Sequence, residues 1–431
     1  MPSVRIDEIA AYLGQEIELN GWAYNFRSSG KIFFLQLRDG SGRVQVVYSA
    51  ANLPADQWEL LNTVRIESSV TVKGKVKEGR QPGSFELDGT SFAAIQIAPD
   101  DYPIGKKEHG PDFLLDMRHL WLRSERQWAV QRVRNTIINA TYAYFAENGF
   151  IKIDAPILTP NACEGTTELF EMDYFDLGKA YLSQSGQLYL EAAVMSVGRA
   201  FDFGPVFRAE KSKTRRHLTE FWMMDAEAAF ADHEQNLKTQ EGLICRIVKD
   251  VLEKNRKELA ILERDVAALE KVQAPFVRMT HTEAVAKLKE MGSDIGPMDD
   301  LGADDETILT KQYDRPIFVE KYPAEVKAFY MKRDPADPRY VLNADLLAPE
   351  GYGEVIGGSQ REDNHDELLK RIKEHNLPVE PFQWYLDLRK YGSVPHSGFG
   401  YGLERLVTWI CGLPHVRESI PFPRLINRLN P

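Results

Sequence analysis

The chain has 431 residues, 43% hydrophobic and 27% charged, with a formal net charge of −11. That is enough for more than one core, since single cores stop growing near about 250–300 residues, and the acidity argues against a general nucleic-acid binder while leaving room for a local basic strip on a specific RNA. Three scattered cysteines (Cys163, Cys245, Cys411) without paired spacing argue against a disulfide scaffold or zinc site, and no apolar run approaches about 18 residues, so the expectation is a cytoplasmic protein with no membrane partner.

Residues 1–97 alternate short apolar runs with glycines. Glu16–Trp22, Ile32–Leu37, Arg43–Tyr48, Val70–Val76 and Ser84–Leu87 each read as strands, and Arg38-Asp-Gly-Ser-Gly42 is hairpin chemistry. Five short strands in such a unit suggest a small barrel of the oligonucleotide-binding type, a generic all-β domain being the plainer equivalent. The unit holds ten Lys/Arg against eleven Asp/Glu, so most of the acidity lies further on. Residues 98–123 are polar and rich in Pro and Gly, as a linker would be.

A helix is expected from Ser124, with Gln127 completing a capping box, Trp128, Val133, Ile137 and Ile138 at helical spacing, and Gly149 ending it. Phe150–Leu158 then reads as a strand carrying Pro156. Residues 207–222, Phe-Arg-Ala-Glu-Lys-Ser-Lys-Thr-Arg-Arg-His-Leu-Thr-Glu-Phe-Trp, hold Arg208, Glu210, four further cations, His217 and two adjacent aromatics. That inventory suits a nucleoside triphosphate: cations for the phosphates, a carboxylate for an exocyclic amine, an aromatic plane for the base. Residues 232–272 are helix-rich, with Leu237, Leu243, Ile244, Ile247 and Val251 as a core stripe. The tail from Gln312 alternates apolar runs with Gly and Pro, which suits antiparallel strands. Within it, Gly398-Phe-Gly-Tyr-Gly-Leu-Glu-Arg405 is a glycine run permitting close backbone approach, followed by Arg405 in a closing helix from about Leu403 to Cys411.

In this order the two segments resemble motifs 2 and 3 of the class II aminoacyl-tRNA synthetases, and the helix and strand after Ser124 resemble motif 1, the dimer-forming element. The resemblance covers essentially the whole chain and narrows to the asparagine/aspartate branch. It implies an α+β architecture: a five-stranded OB-fold anticodon-binding barrel over 1–97, a linker over 98–123, and a catalytic domain over 124–431 whose antiparallel sheet is flanked by helices. It also implies ATP as substrate, Mg²⁺, a tRNA partner at its anticodon loop and acceptor end, and a homodimer.

What the resemblance assigns is specific. Arg208 would hold the α-phosphate and the attacked carboxylate, Glu210 the adenine amine, His217 the γ-phosphate, Phe221 the base, and Arg405 the far phosphates. Asp345 and Glu354 would hold magnesium, a cation suited to a few carboxylates plus phosphate oxygens. Glu164 and Gln187 would face the α-amino group, and Arg361 the side-chain oxygen. Leu190 replaces a lysine that aspartyl relatives use on the substrate carboxylate. In the barrel, Phe34 would stack on an anticodon base while Gln45 and Glu86 supply selectivity. The Cys163–Phe170 loop, Trp222 with Met223, and Ile420-Pro-Phe-Pro-Arg424 favour asparagine. The expected activity is ATP-dependent attachment of asparagine to tRNA through an adenylate. The alternatives are an aspartyl enzyme, one charging both tRNAs, or an amide synthetase on the same fold.

Overall fold

A computed structural model describes residues 4–105, 107–161, 163, 168–212 and 214–431. The chain divides into two compact units, one running to Phe113 and the other beginning at Leu114.

The first unit is a closed barrel of β1 (Glu16–Ser29), β2 (Ile32–Arg38), β3 (Arg43–Ser49), β4 (Ser69–Glu78) and β5 (Phe85–Gln96), in the order β1-β2-β3-β5-β4. Helix α1 (Ala55–Asn62) separates β3 from β4. Period-two alternation decides what each strand buries: Leu35, Val46, Val72 and Leu87 are fully enclosed, while Phe33 stacks on Phe26 inside and Phe34 lies on the opposite face. β1 outruns its expected end, with its register against β2 shifting between Ala23 and Asn25; at Gly21 a Cβ would collide with the Arg38 carbonyl.

In the expected linker, helices α2 (Pro111–Asp116) and α3 (Arg118–Trp121) form. Arg118 is fully buried, giving Nε to the carbonyl of Pro421 at 2.7 Å and a terminal nitrogen to that of Ile420 at 2.6 Å. Residues 114–123 therefore pack as part of the second unit. Helix α4 (Glu125–Glu147) starts where expected: Ser124 Oγ accepts from the Gln127 N–H, and Gly149 takes the left-handed conformation (φ +74°) past its end. The reciprocal arm of the capping box is missing because the Ser124 N–H is already given to the Trp121 carbonyl. The strand expected over 150–158 is only β6 (Ile151–Lys152) and the start of β7 (Leu158–Thr159), since Pro156 removes a ladder donor between them. β7 belongs to a small sheet with β8 (Glu171–Asp173) and β9 (Lys179–Leu182), which leads into α5 (Gln187–Val197).

The main sheet adds β10 (Arg199–Phe207), β11 (Glu220–Ala229), β12 (Val277–Thr280), β13 (Ile317–Glu320), then, past a two-stranded hairpin of β14 (Arg333–Asp334) and β15 (Asp337–Val341), β16 (Asn343–Ala348), β17 (Gly353–Gln360) and β18 (His396–Gly402). The spatial order is β12-β13-β16-β17-β18-β11-β10-β6; the six central strands pair antiparallel and the two edges parallel, so the sheet is mixed. The helices are α6 (His233–Lys254), α7 (Arg256–Ile261), α8 (Val266–Glu270), α9 (His281–Glu290), α10 (Ala303–Thr310), α11 (His365–Glu374), α12 (Gln383–Lys390) and α13 (Leu403–Cys411). One face of the sheet presents Phe201, Phe203, Met224, Ala226, Phe399 and Tyr401 to α4, α6 and α13, forming the main core. The other face is the site. Among the described residues no helix is long and apolar enough to cross a membrane.

Candidate functional site

Alternation along the central strands builds a polar floor opposite the core. On β11, Met223, Asp225 and Glu227 share the face that Met224 and Ala226 do not. Their register partners on β18 are Gly402, Gly400 and Gly398, and Gly400 and Gly398 in turn face Gly357 and Ser359 of β17. The glycines leave room for carboxylates: a Cβ on Gly400 would stand 2.6 Å from Asp225 Oδ1, and one on Gly398 would collide with Glu227. Only glycine lets acidic groups lie down over a central strand here.

At one end of this floor a cavity of about 450 Å³ is lined by Arg208, Glu210, His217, Phe221, Glu354 and Arg405, with Gly400 and Gly402 beneath. All five nucleotide residues expected from the sequence thus meet in one place, with one of the two expected metal ligands. The hairpin between β10 and β11 does this: the Arg208 N–H donates to the Thr219 carbonyl at 3.0 Å, which folds Arg208 back until its guanidinium lies 5.8 Å above the Phe221 ring centroid. Arg208 Nε is buried with no hydrogen-bond partner. Burial, with Arg405 and Arg208 nearby, lowers His217 to about 4, so its ring is neutral at pH 7. Two of the further cations are struts instead: Arg216 bonds Glu306 (2.6 Å) and Thr307 (2.6 Å), and Arg215 donates to the Gly351 carbonyl (3.1 Å). Lys213 lies outside the described residues.

The two expected metal ligands flank Gly357. A Cβ on that residue would lie 3.2 Å from Glu354 Oε1 and 3.8 Å from Asp345 Oδ1. Each has a cation of its own: Arg405 pairs with Glu354 at 3.0 Å and Lys327 with Asp345 at 2.8 Å. Burial raises Asp345 to about 6 against the pull of Lys327; for Glu354 the same burial is outweighed by Arg405 and Lys327, which hold it below the usual carboxylate value. No cluster of three or more metal-ligating side chains occurs among the described residues.

Further along the floor lies a buried pair that sequence reasoning half missed. Arg361 gives Nε to Glu227 Oε1 at 3.0 Å and a terminal nitrogen to the same carboxylate, while its other terminal nitrogen reaches Ser359 Oγ at 2.8 Å. Both side chains are almost fully buried. Burial pushes Glu227 up to about 7, with Arg361 opposing. Glu227 had a sequence signal, two acids at strand spacing in Met223-Met-Asp-Ala-Glu227. Gln187 opens α5 nearby and gives Nε2 to Glu191 at 3.1 Å. Leu190, expected to stand where aspartyl relatives place a lysine, is enclosed in an apolar cluster with Val194 and Ala200. The buried charge that faces Arg361 here is Glu227. Glu164 lies outside the described residues.

On the barrel, Phe34, Gln45 and Glu86 share the outer face. Arg27 stacks on the Phe34 ring at 4.3 Å, and Gln45 Nε2 donates to its register partner Glu86 at 3.0 Å.

Comparisons with known proteins agree with this geometry. The family described as tRNA synthetases class II (D, K and N) matches residues 110–426, and the OB-fold nucleic acid binding domain matches 17–95. The asparagine–tRNA ligase of Pelotomaculum thermopropionicum is 53% identical over all of both chains, and that of Symbiobacterium thermophilum is 52% identical, again over all of both. A crystal structure of asparaginyl-tRNA synthetase from Pyrococcus horikoshii complexed with asparaginyl-adenylate superimposes with a TM-score of 0.96, 44% identity and full coverage of both chains.

Proposed function

The chain belongs to the class II tRNA synthetases of the aspartate, lysine and asparagine group, and from that premise and its site we propose how it ligates asparagine to tRNA through an asparaginyl-adenylate. The observation that carries the amino-acid assignment is the buried Arg361–Glu227 pair. A carboxamide has an acceptor oxygen for the guanidinium and an N–H for the carboxylate. Aspartate in the same place would set its carboxylate against Glu227, a buried like-charge contact. The aspartyl alternative is therefore not favoured, and the amide-synthetase alternative has no use for an anticodon-type barrel.

ATP lies in the 450 Å³ cavity, its base against Phe221 with Glu210 toward the exocyclic amine. The asparagine carboxylate oxygen attacks the α-phosphorus, forming the acyl–phosphate bond as the bond to the β-phosphate breaks and pyrophosphate leaves. Two anions meet in this step, so placed cations matter more than any acid or base. Arg208, with its unpartnered Nε, bridges the carboxylate and the α-phosphate. Arg405 takes the outer phosphates, and neutral His217 offers a hydrogen bond there. A ribose hydroxyl at the tRNA end then attacks the acyl carbon, and AMP leaves.

Asp345 and Glu354 fit magnesium: both are hard oxygen donors that flank one glycine, and Glu354 lines the cavity. Glu354 would be the primary ligand, with Lys327 keeping Asp345 in place beside it, and a bound ion would neutralise phosphate charge. Phe34, Gln45 and Glu86 read the anticodon, and residues 1–97 and 124–431 act as anticodon-binding and catalytic domains. Exposed Ile151, Ile157 and Leu158, next to the edge strand β6, suit a homodimer interface, and the setting is the cytoplasm. The test is pyrophosphate exchange with each amino acid. Exchange driven by asparagine and not aspartate is expected; a preference for aspartate would overturn the reading.

A further inference from the structure

Behind the pair that reads the carboxamide sits a second buried cluster that the mechanism does not use. We propose that Glu191 is a positioning residue for amino-acid specificity: one enclosed carboxylate that holds Gln187 on one side of asparagine, backs Arg361 on the other, and sets the charge of the subsite between them. This rests on the assignment of asparagine to the Arg361–Glu227 pair.

Glu191 has no solvent exposure. It accepts from four side chains on three elements: Gln187 Nε2 at 3.1 Å from one turn earlier on α5, the Tyr385 hydroxyl at 2.7 Å and Arg389 from α12, and His396 Nε2 at 3.0 Å from the start of β18. Arg361 Nε stands 4.0 Å away. The donors are themselves fixed: Arg389 Nε gives a hydrogen bond to the Glu362 carbonyl at 2.8 Å, and His396 Nδ1 lies 2.8 Å from the Val394 carbonyl. His396 also stands two residues before Gly398, the floor beneath Glu227. Burial by itself would raise Glu191, but Arg389, His396 and Arg361 outweigh it and keep the carboxylate charged.

Two consequences follow from one charge. Gln187 is given a fixed rotamer, because its amide nitrogen is committed to Glu191. Above the pH at which Glu227 takes up a proton, the buried arginines Arg361 and Arg389 are matched by Glu191 and Glu227, so the pocket carries no surplus charge from these four that a second carboxylate could neutralise. Removing the Glu191 charge leaves excess positive charge beside Arg361, and aspartate would relieve it where asparagine would not.

Exchange by the wild type with each amino acid is measured first, since failure with asparagine there defeats the underlying assignment and not this inference. Glu191→Gln keeps the shape and removes the charge. It is expected to raise the asparagine KM and to lower the asparagine-to-aspartate ratio of kcat/KM, each by about tenfold, with the ATP KM within about twofold of wild type. The double variant Glu191→Gln, Arg389→Met restores the charge balance. Its ratio is expected to return to within about threefold of wild type while the asparagine KM stays raised, a split that a merely structural role would not produce. A folded Glu191→Gln enzyme, judged by its melting curve, whose ratio stays within about twofold of wild type overturns the proposal. Should the single variant not fold, an unchanged asparagine KM in the double variant overturns it instead.

Discussion

Arg208 presents a guanidinium whose Nε has no hydrogen-bond partner, held over Phe221 by one backbone hydrogen bond. Arg208→Ala should therefore leave the melting temperature near wild type while asparagine-dependent exchange falls by about 3–4 kcal/mol of transition-state stabilisation, the usual cost of losing one placed donor. Exchange above about a tenth of wild type would remove Arg208 from the chemistry. Glu227 gives a pH prediction. Its carboxyl is raised by burial to about 7, so it gains a proton as the pH falls through that value. The protonated group no longer repels a second carboxylate, so the preference for asparagine over aspartate should weaken from about pH 8 to about pH 6 and recover on return. A ratio of exchange efficiencies flat across that range would show that Glu227 does not set it. The cavity residues were legible because Arg208, Glu210, His217 and Phe221 fall within one hairpin. Glu227 was legible only as an acid at strand spacing; its pairing was not, because Arg361 lies 134 residues away.

At the scale of elements, the barrel face and the glycine floor make separate claims. Phe34 stands on the outer side of β2 with Arg27 on its ring, while Phe33 fills the interior. Phe34→Ala should weaken tRNA charging by about 1–3 kcal/mol through lost stacking and leave adenylate formation untouched. Loss in both assays would mean that the substitution had damaged the fold. Gly398→Ala should do the reverse of that pattern. Its Cβ would collide with Glu227, so asparagine-dependent exchange should drop while the barrel's affinity for tRNA persists. Full exchange by Gly398→Ala would show that the floor yields. The sequence placed β2, β3, α4 and α13 well, since period-two alternation, a Ser N-cap and a Gly C′ are local physics. It overextended the strand at Pro156 and read 98–123 as linker, because the burial of Arg118 against residues 418–421 has no local signature.

For the whole molecule, net charge of −11 coexists with a partner that is a polyanion. Surface cations already paired with protein carboxylates are less available to an RNA backbone, so a limited set of exposed Lys and Arg must carry the RNA. Raising salt from about 50 mM to about 200 mM should weaken tRNA charging along a straight log–log line, while exchange with saturating ATP and asparagine changes little. Equal sensitivity of the two assays would argue that salt acts on the catalytic unit rather than on RNA contacts.

By itself the sequence determined the fold class, the two-unit organisation and the residues that line the cavity. Each depends on spacing along the chain: alternation in strands, caps at helix ends, and a motif compressed into one hairpin. Tertiary structure alone decided which charges meet beside Arg361. Leu190, three residues after Gln187 on the same helix, turned into an apolar cluster. Glu227, Arg361, Glu191 and Arg389, scattered over four elements or their ends, converged in one buried network. A charge's effect on specificity depends on its burial and its nearest opposite charge, and neither quantity exists until distant strands and helices have packed.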